Sequence, residues 1–274
     1  MDLDQLELTD VSIIPTNTGV FALGNLSTLF NTSVRIQELD PLDADAIWPK
    51  NIEVCITRIP IRKRDGFSIT NLEKLAKKLK NHMVSNGVVF FICYAPTEAK
   101  YRPFEVAKCM VDAGFTHVDN IIIKKSWFPG KRSEVNLVNS HEFVLHFCNG
   151  NVWKLDRLPV RKYLDTPSDI SCPGNTWEVE TGSLDEAYPP ALGELLIRMT
   201  NCLPGSLIFD PYCGGVASLK ASLKLGQSFV GFEKNKRMIA RYEKMVKDFN
   251  DGLLLEEDKP QPKNNKNDDE EEAW

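Results

Sequence analysis

Ser206-Leu207-Ile208-Phe209-Asp210-Pro211-Tyr212-Cys213-Gly214-Gly215 is a short apolar run that stops at a carboxylate and breaks into a turn holding one proline and two glycines. Val216 to Leu225 then follows a helical pattern, Phe229 to Phe232 is a second apolar run closed by Glu233, and Asn235 to Phe249 is a last helix. The order is strand, turn, helix, strand, helix: a complete βαβ unit with a following helix. Glycines at the end of a strand let the backbone come close to a ligand, and the helix start supplies unpaired N–H groups. Glu233 lies 23 residues after Asp210, close to the spacing at which α/β folds set a carboxylate on a ribose. On the residues alone, Asp210 reads equally as a helix cap and Glu233 as a solvated strand end.

Upstream, the alternation continues. Leu72, Leu75, Ala76 and Leu79 fall at i, i+3, i+4 and i+7, so Asn71 to Lys80 reads as a helix, with a turn at Asn86-Gly87 before the buried strand Val88 to Tyr94. A second helix fits Glu105 to Ala113, ending at Gly114, with strands at Val118 to Lys124 and His141 to Phe147. Apolar runs alternating with helices predict a parallel α/β sheet. Residues 149 to 185 are rich in Pro, Gly, Asp and Ser and carry little periodicity, as expected of an irregular insertion.

The 274 residues are 42% hydrophobic and 26% charged, which excludes collagen-like, disulfide-scaffold and wholly disordered classes. No apolar run approaches a membrane span of about 20 residues, and the first residues are acidic rather than basic, so a cytoplasmic protein is expected. Seven scattered cysteines form no C-x-x-C pair, so reduced thiols and no metal site are expected. His141 and His146 stand five apart on a strand and face opposite sides, which argues against a zinc pair. The net charge of −5 is concentrated in residues 251–274, where nine acids oppose three lysines. That tail is expected to be disordered, and residues 1–250 together carry +1.

The segment from Ser206 to Gly215, together with Lys224-Leu225-Gly226-Gln227-Ser228-Phe229-Val230-Gly231-Phe232-Glu233, resembles the S-adenosylmethionine site of the DNA amino-methyltransferases acting on adenine N6 or cytosine N4. Those enzymes show D-P-F-x-G-x-G-T-T and, one helix later, L-G-R-x-F-I-G-I-E. Pro189-Pro190-Ala191-Leu192-Gly193-Glu194-Leu195-Leu196 and Asn139 to Phe147 extend the resemblance to about residues 35–249. It implies an S-adenosylmethionine-dependent, Rossmann-like methyltransferase domain over residues 1–250, circularly permuted so that the cofactor loop lies late in the chain. It also implies a recognition segment at about 125–187, and a cofactor held by Asp210, Pro211, Tyr212, Gly214, Gly215 and Glu233.

In that order the catalytic tetrapeptide, an acceptor followed by two prolines and an aromatic, falls on Arg58, Ile59, Pro60 and Ile61. An exocyclic amine is a poor nucleophile because its lone pair is delocalised, so the acceptor must take its hydrogen bonds and aim the lone pair. Arg58 is a donor-only cation. The cofactor loop departs as well, its second glycine standing one place early. Two outcomes follow: a degenerate DNA-binding relative serving as a subunit of an active methyltransferase or as a blocker, or an active enzyme with rearranged groups. Cations cluster at Arg62, Lys63, Arg64 and at Lys131, Arg132, in segments that in the resembling family face DNA, so phosphate contact is expected there. Trp127, Phe128, Trp153 and Trp177 are candidates for stacking on bases.

Overall fold

The computed structural model describes residues 13–15, 20–25, 33–60, 68–95, 99–124, 137, 140–152, 155–166, 172–179 and 188–251. The strands are β1 (Ile13–Pro15), β2 (Val20–Asn25), β3 (Ser33–Gln37), β4 (Ile52–Arg58), β5 (Met83–Cys93), β6 (Thr116–Lys124), β7 (His141–Cys148), β8 (Thr176–Glu178), β9 (Leu207–Asp210) and β10 (Ser228–Phe232). The helices are α1 (Ile69–His82), α2 (Arg102–Asp112), α3 (Leu158–Tyr163), α4 (Pro190–Thr200), α5 (Ala217–Lys224) and α6 (Lys236–Asn250).

All ten strands join one sheet in the order β1-β2-β3-β10-β9-β4-β5-β7-β6-β8. The centre, β3, β10, β9, β4 and β5, is parallel. A wholly parallel sheet is not what forms. β7 pairs antiparallel with both β5 and β6, and β2 antiparallel with β1 and β3. No helix among the described residues separates β6 from β7, so β7 returns in the opposite direction.

Central strands covered on both faces must be apolar throughout. Accordingly Val54, Cys55 and Ile56 of β4 and Phe90, Phe91 and Ile92 of β5 are fully buried, each large side chain contributing about 1.5–3 kcal/mol relative to exposure. On one face α1 and α2 pack Leu72, Leu75, Leu79, Val106 and Met110 against Phe91 and Phe147. On the other, α4, α5 and α6 pack Leu192, Leu196, Leu219, Tyr242 and Val246 against Ile56, Phe90 and Phe229.

Two readings change inside the 125–187 region. The stretch after Cys148 is not wholly irregular, because it carries α3 and β8, and Val160, Trp177 and Val179 enter the core. Trp177 is 2% exposed, with its indole N–H donating to Gly174 O, so it is a core side chain and not a stacking surface. Trp127, Phe128 and Trp153, and the tail beyond Asp251, lie outside the described residues. Among the described residues no helix is long and apolar enough to cross a membrane, and none of the seven cysteines is in a disulfide.

Candidate cofactor and catalytic site

The central parallel strands all end on one side of the sheet. From β9 the chain crosses by α5 to β10, and from β4 it crosses by α1, on the opposite face, to β5. The neighbouring ends of β9 and β4 are therefore a switch point, where loops part and leave a crevice. A cleft of about 310 Å³ opens there, within the range of small-molecule sites. One wall is Leu39 to Leu42 after β3, and the floor is Pro211, Tyr212 and Gly214 after β9 with Phe232, Glu233 and Lys234 at the end of β10. The other end is Arg58, the last residue of β4, with Ile59 and Pro60 after it and Asn71 and Tyr94.

Glu233 faces this cleft and ties its loops together. One oxygen accepts the N–H of Gly214 at 2.9 Å, the other the N–H of Asn235 at 2.6 Å. Each carboxylate oxygen has a second acceptor site, so the group retains capacity for donors from a ligand. Gly214 has φ +53°, the left-handed region where a glycine is comfortable, and this turns its N–H toward Glu233.

Asp210 and Gly215 do not line the cleft. Asp210 is wholly buried beneath the loop, one oxygen accepting from the Ser218 hydroxyl at 2.7 Å and the other from the Tyr212 N–H at 3.0 Å. Burial pushes its carboxyl up to about 6, against the pull of those hydrogen bonds. It is a strut between the strand end and α5, whose N-cap is Val216. Gly215 is turned away too, its carbonyl accepting the buried Tyr242 hydroxyl of α6. Cys213 is sealed in, its thiol raised well above the ordinary range by burial, which fits a packing role.

At the other end of the cleft, Arg58 closes β4. Its Nη2 donates to Glu142 Oε1 of β7 at 2.6 Å, and its guanidinium lies 5.6 Å from the centre of the Tyr94 ring. The ion pair spans β5 from one neighbour to the other. Ile59 is buried, its N–H continuing the ladder to Ile92 O at 3.1 Å, while Pro60 lines the cleft. Ile61 lies outside the described residues.

The family model for DNA methylases of the N6 and N4 type matches residues 66–244. The chain belongs to the DNA methylase family. Solved structures of the same fold include the PvuII DNA methyltransferase, cytosine-N4-specific, at 17% identity and TM-score 0.60, covering 82% of this chain and 93% of that one. M1.HpyAVI in complex with SAM aligns at 18% identity and TM-score 0.55, over 72% of this chain and 89% of its own. A Thermus thermophilus protein described as a DNA modification methylase, complexed with S-adenosyl-L-methionine, aligns at 16% identity and TM-score 0.54, over 77% and 90%. No curated protein matches the chain by sequence.

In this member of the family, then, the cleft gathers Pro211, Tyr212, Gly214 and Glu233 with Arg58, Ile59 and Pro60. Arg62, Lys63, Arg64, Lys131 and Arg132 fall outside the described residues. Sequence reasoning missed the β3 loop and Glu142. Asp40-Pro41-Leu42-Asp43 has the composition of a turn, but only the pairing of β3 with β10 brings it to the loop after β9. Gln37 holds that loop from beneath, its side-chain amide donating to Ile47 O at 2.6 Å and accepting from Ile47 N at 3.0 Å.

Proposed function

We propose that this methylase-family protein binds S-adenosylmethionine in the cleft and DNA across the strand ends, without itself transferring the methyl group, as a partner of an active methyltransferase or a blocker of modification. The cofactor half suits a nucleoside. Leu39, Leu42 and Phe232 offer apolar surface, Glu233 keeps acceptor capacity for ribose hydroxyls, and Gly214 brings backbone close. When bound, S-adenosylmethionine supplies a methyl group made electrophilic by its sulfonium.

The observation that carries the non-catalytic reading is Arg58 locked on Glu142, at the position the resemblance gives to the acceptor. A guanidinium takes no hydrogen bond from an amine and repels a neighbouring sulfonium. Losing one oriented transition-state contact costs about 3 kcal/mol, and losing a stacking partner for the base roughly another 1–3 kcal/mol. Together these losses slow transfer by several orders of magnitude. Calorimetry should detect S-adenosylmethionine binding, and a labelled-methyl assay on mixed-sequence DNA should give no incorporation. Incorporation at ordinary turnover overturns the reading.

One observation favours the alternative, an active enzyme with rearranged groups: the Glu142 carboxylate lies within 2.6 Å of Arg58. If methyl transfer is found and Glu142→Gln abolishes it while cofactor affinity stays, that carboxylate is the relocated acceptor.

A further inference from the structure

Among the described phenylalanine, tyrosine and tryptophan side chains three are exposed, Tyr101, Phe104 and Tyr163, and two of them stand together at the cleft's end of the molecule. Tyr101 is 56% and Phe104 67% exposed, which is unfavourable for rings unless something covers them. Tyr101 is the N-cap of α2 and Phe104 lies in its first turn; the helix follows β5 and so begins where that strand ends, on the side of the cleft. β7 runs antiparallel to β5 with Cys93 opposite Phe143, so its first residues reach the same end.

Phe104 lies 6.4 Å from the Phe143 ring, and Phe143 lies 5.0 Å from His141. Toward the cleft, Tyr94 follows Cys93 directly and carries Arg58 over its face. Cations alternate with the rings: Arg102 sits 5.8 Å over Tyr101, and exposed Lys124 is the cross-strand partner of His141. The acids of the strip are Glu105, accepting from Arg102 at 2.9 Å, Glu142, accepting from Arg58, and exposed Glu178, which stands opposite Lys124 on β8.

We propose that this strip is a stacking track for unpaired nucleotides, taking the bases of a single or locally opened strand on Phe104 and Tyr101 and leading them toward Tyr94 and the cleft. It rests on the DNA reading above and specifies the form of nucleic acid. Every base has a π-face, and aromatic side chains interleaved with cations match the repeat of base and phosphate. In an intact duplex those faces are occupied by neighbouring pairs, leaving only edges and phosphates within reach. A purely apolar protein partner would desolvate Arg102 and Lys124 without repaying the loss.

The test uses the full-length protein with a fluorescent oligothymidylate and a mixed-sequence duplex of equal length, at low salt. Phe104→Ala and Tyr101→Ala should each weaken the single strand about tenfold and the duplex less than twofold. Phe104→Trp should retain binding, and Leu203→Ala, exposed elsewhere, should change neither. Photocrosslinking with iodouracil in the oligonucleotide should mark Tyr101 or Phe104. Equal loss on both nucleic acids, or no loss on either, overturns the track while leaving DNA binding in place. If neither oligonucleotide binds, the DNA reading itself fails. A dimer in sedimentation that Phe104→Ala dissociates assigns the rings to self-association and overturns the proposal.

Discussion

Gly231 on β10 shows how tightly the loop after β9 is packed, since a methyl group at that position would collide with Cys213 Sγ and press on the Phe229 ring. Gly231→Ala should cost about 1–3 kcal/mol by overpacking and lower the thermal midpoint. Cys213→Ala in the same chain removes the colliding sulfur and should recover part of that loss, which melting of the single and double variants would measure. If the two changes are additive, the contact is not the cause. Glu233 is the second residue of this kind. Glu233→Ala should weaken S-adenosylmethionine by about tenfold or more, because roughly 1.5–3 kcal/mol goes with each charged hydrogen bond lost. An unchanged affinity in calorimetry would make Glu233 only a tie between Gly214 and Asn235. Both residue types were readable in the sequence. That Asp210 is a buried strut was not readable, because a strand-end aspartate looks the same whether its side chain faces ligand or α5.

At the scale of elements, β5 departs most from its linear reading. Asn86-Gly87 has the composition of a turn, and Asn86 does adopt φ +70°, yet the strand runs through it from Met83 to Cys93. The reason is Asn149, beyond the end of β7. Its backbone pairs with Asn86 and Gly87, and its side-chain amide donates to Val84 O at 2.9 Å. The register with β4 jumps at this place, from Ile52 opposite Met83 to Val54 opposite Val88. Asn149→Ala should therefore destabilise the protein by about 1–2 kcal/mol, by leaving the Val84 carbonyl unpaired in a nearly buried site, and the urea midpoint would report it. A change under a few tenths would show that the backbone bonds suffice. The other helices and strands named from periodicity formed within a few residues of the expected bounds, because α1 and α6 bury one clean stripe and β10 is apolar on both faces. β3, whose alternating face is short and mixed, gave no comparable signal.

For the whole molecule, two buried groups set opposing responses to acid. Burial holds Asp210 up at about 6 against an ordinary 3.8, so the fold prefers its protonated form. Its contribution is full below pH 3.8 and is lost as pH rises through 6. Burial holds His146 down at about 4 against 6.5, its ring stacked on Phe90. Its contribution is full above pH 6.5 and is lost as pH falls through 4. Each amounts to about 3 kcal/mol, and between pH 4 and 6 they nearly cancel. Asp210→Asn should expose the histidine slope, with stability rising from pH 4 to 6.5, and His146→Phe the opposite slope. If both variants keep the parent's profile in urea titrations across that range, these groups do not govern it. Charge acts at the same scale. Removing residues 251–274 moves the chain from −5 to +1, and should tighten duplex DNA binding and steepen its salt dependence if the acidic tail competes for the surface that phosphates use. Equal binding by truncated and intact proteins would leave the tail a solubilising segment.

The sequence by itself determined what local chemistry can encode: the βαβ unit around Asp210 and Glu233, the helices with a single apolar stripe, the charge carried by the tail, and the family. It also made Arg58 a donor-only cation, because residue type needs no coordinates. Tertiary structure decided everything that depends on which strands become neighbours. Pairing of β3 with β10 carried Leu39 to Leu42 to the cleft. The antiparallel insertion of β7 brought Glu142 onto Arg58 across 84 residues and left Phe104 and Tyr101 beside the strand ends. Side-chain periodicity reports which face is buried, but it is blind to partner and register. Those are chosen by the packing of the complete sheet.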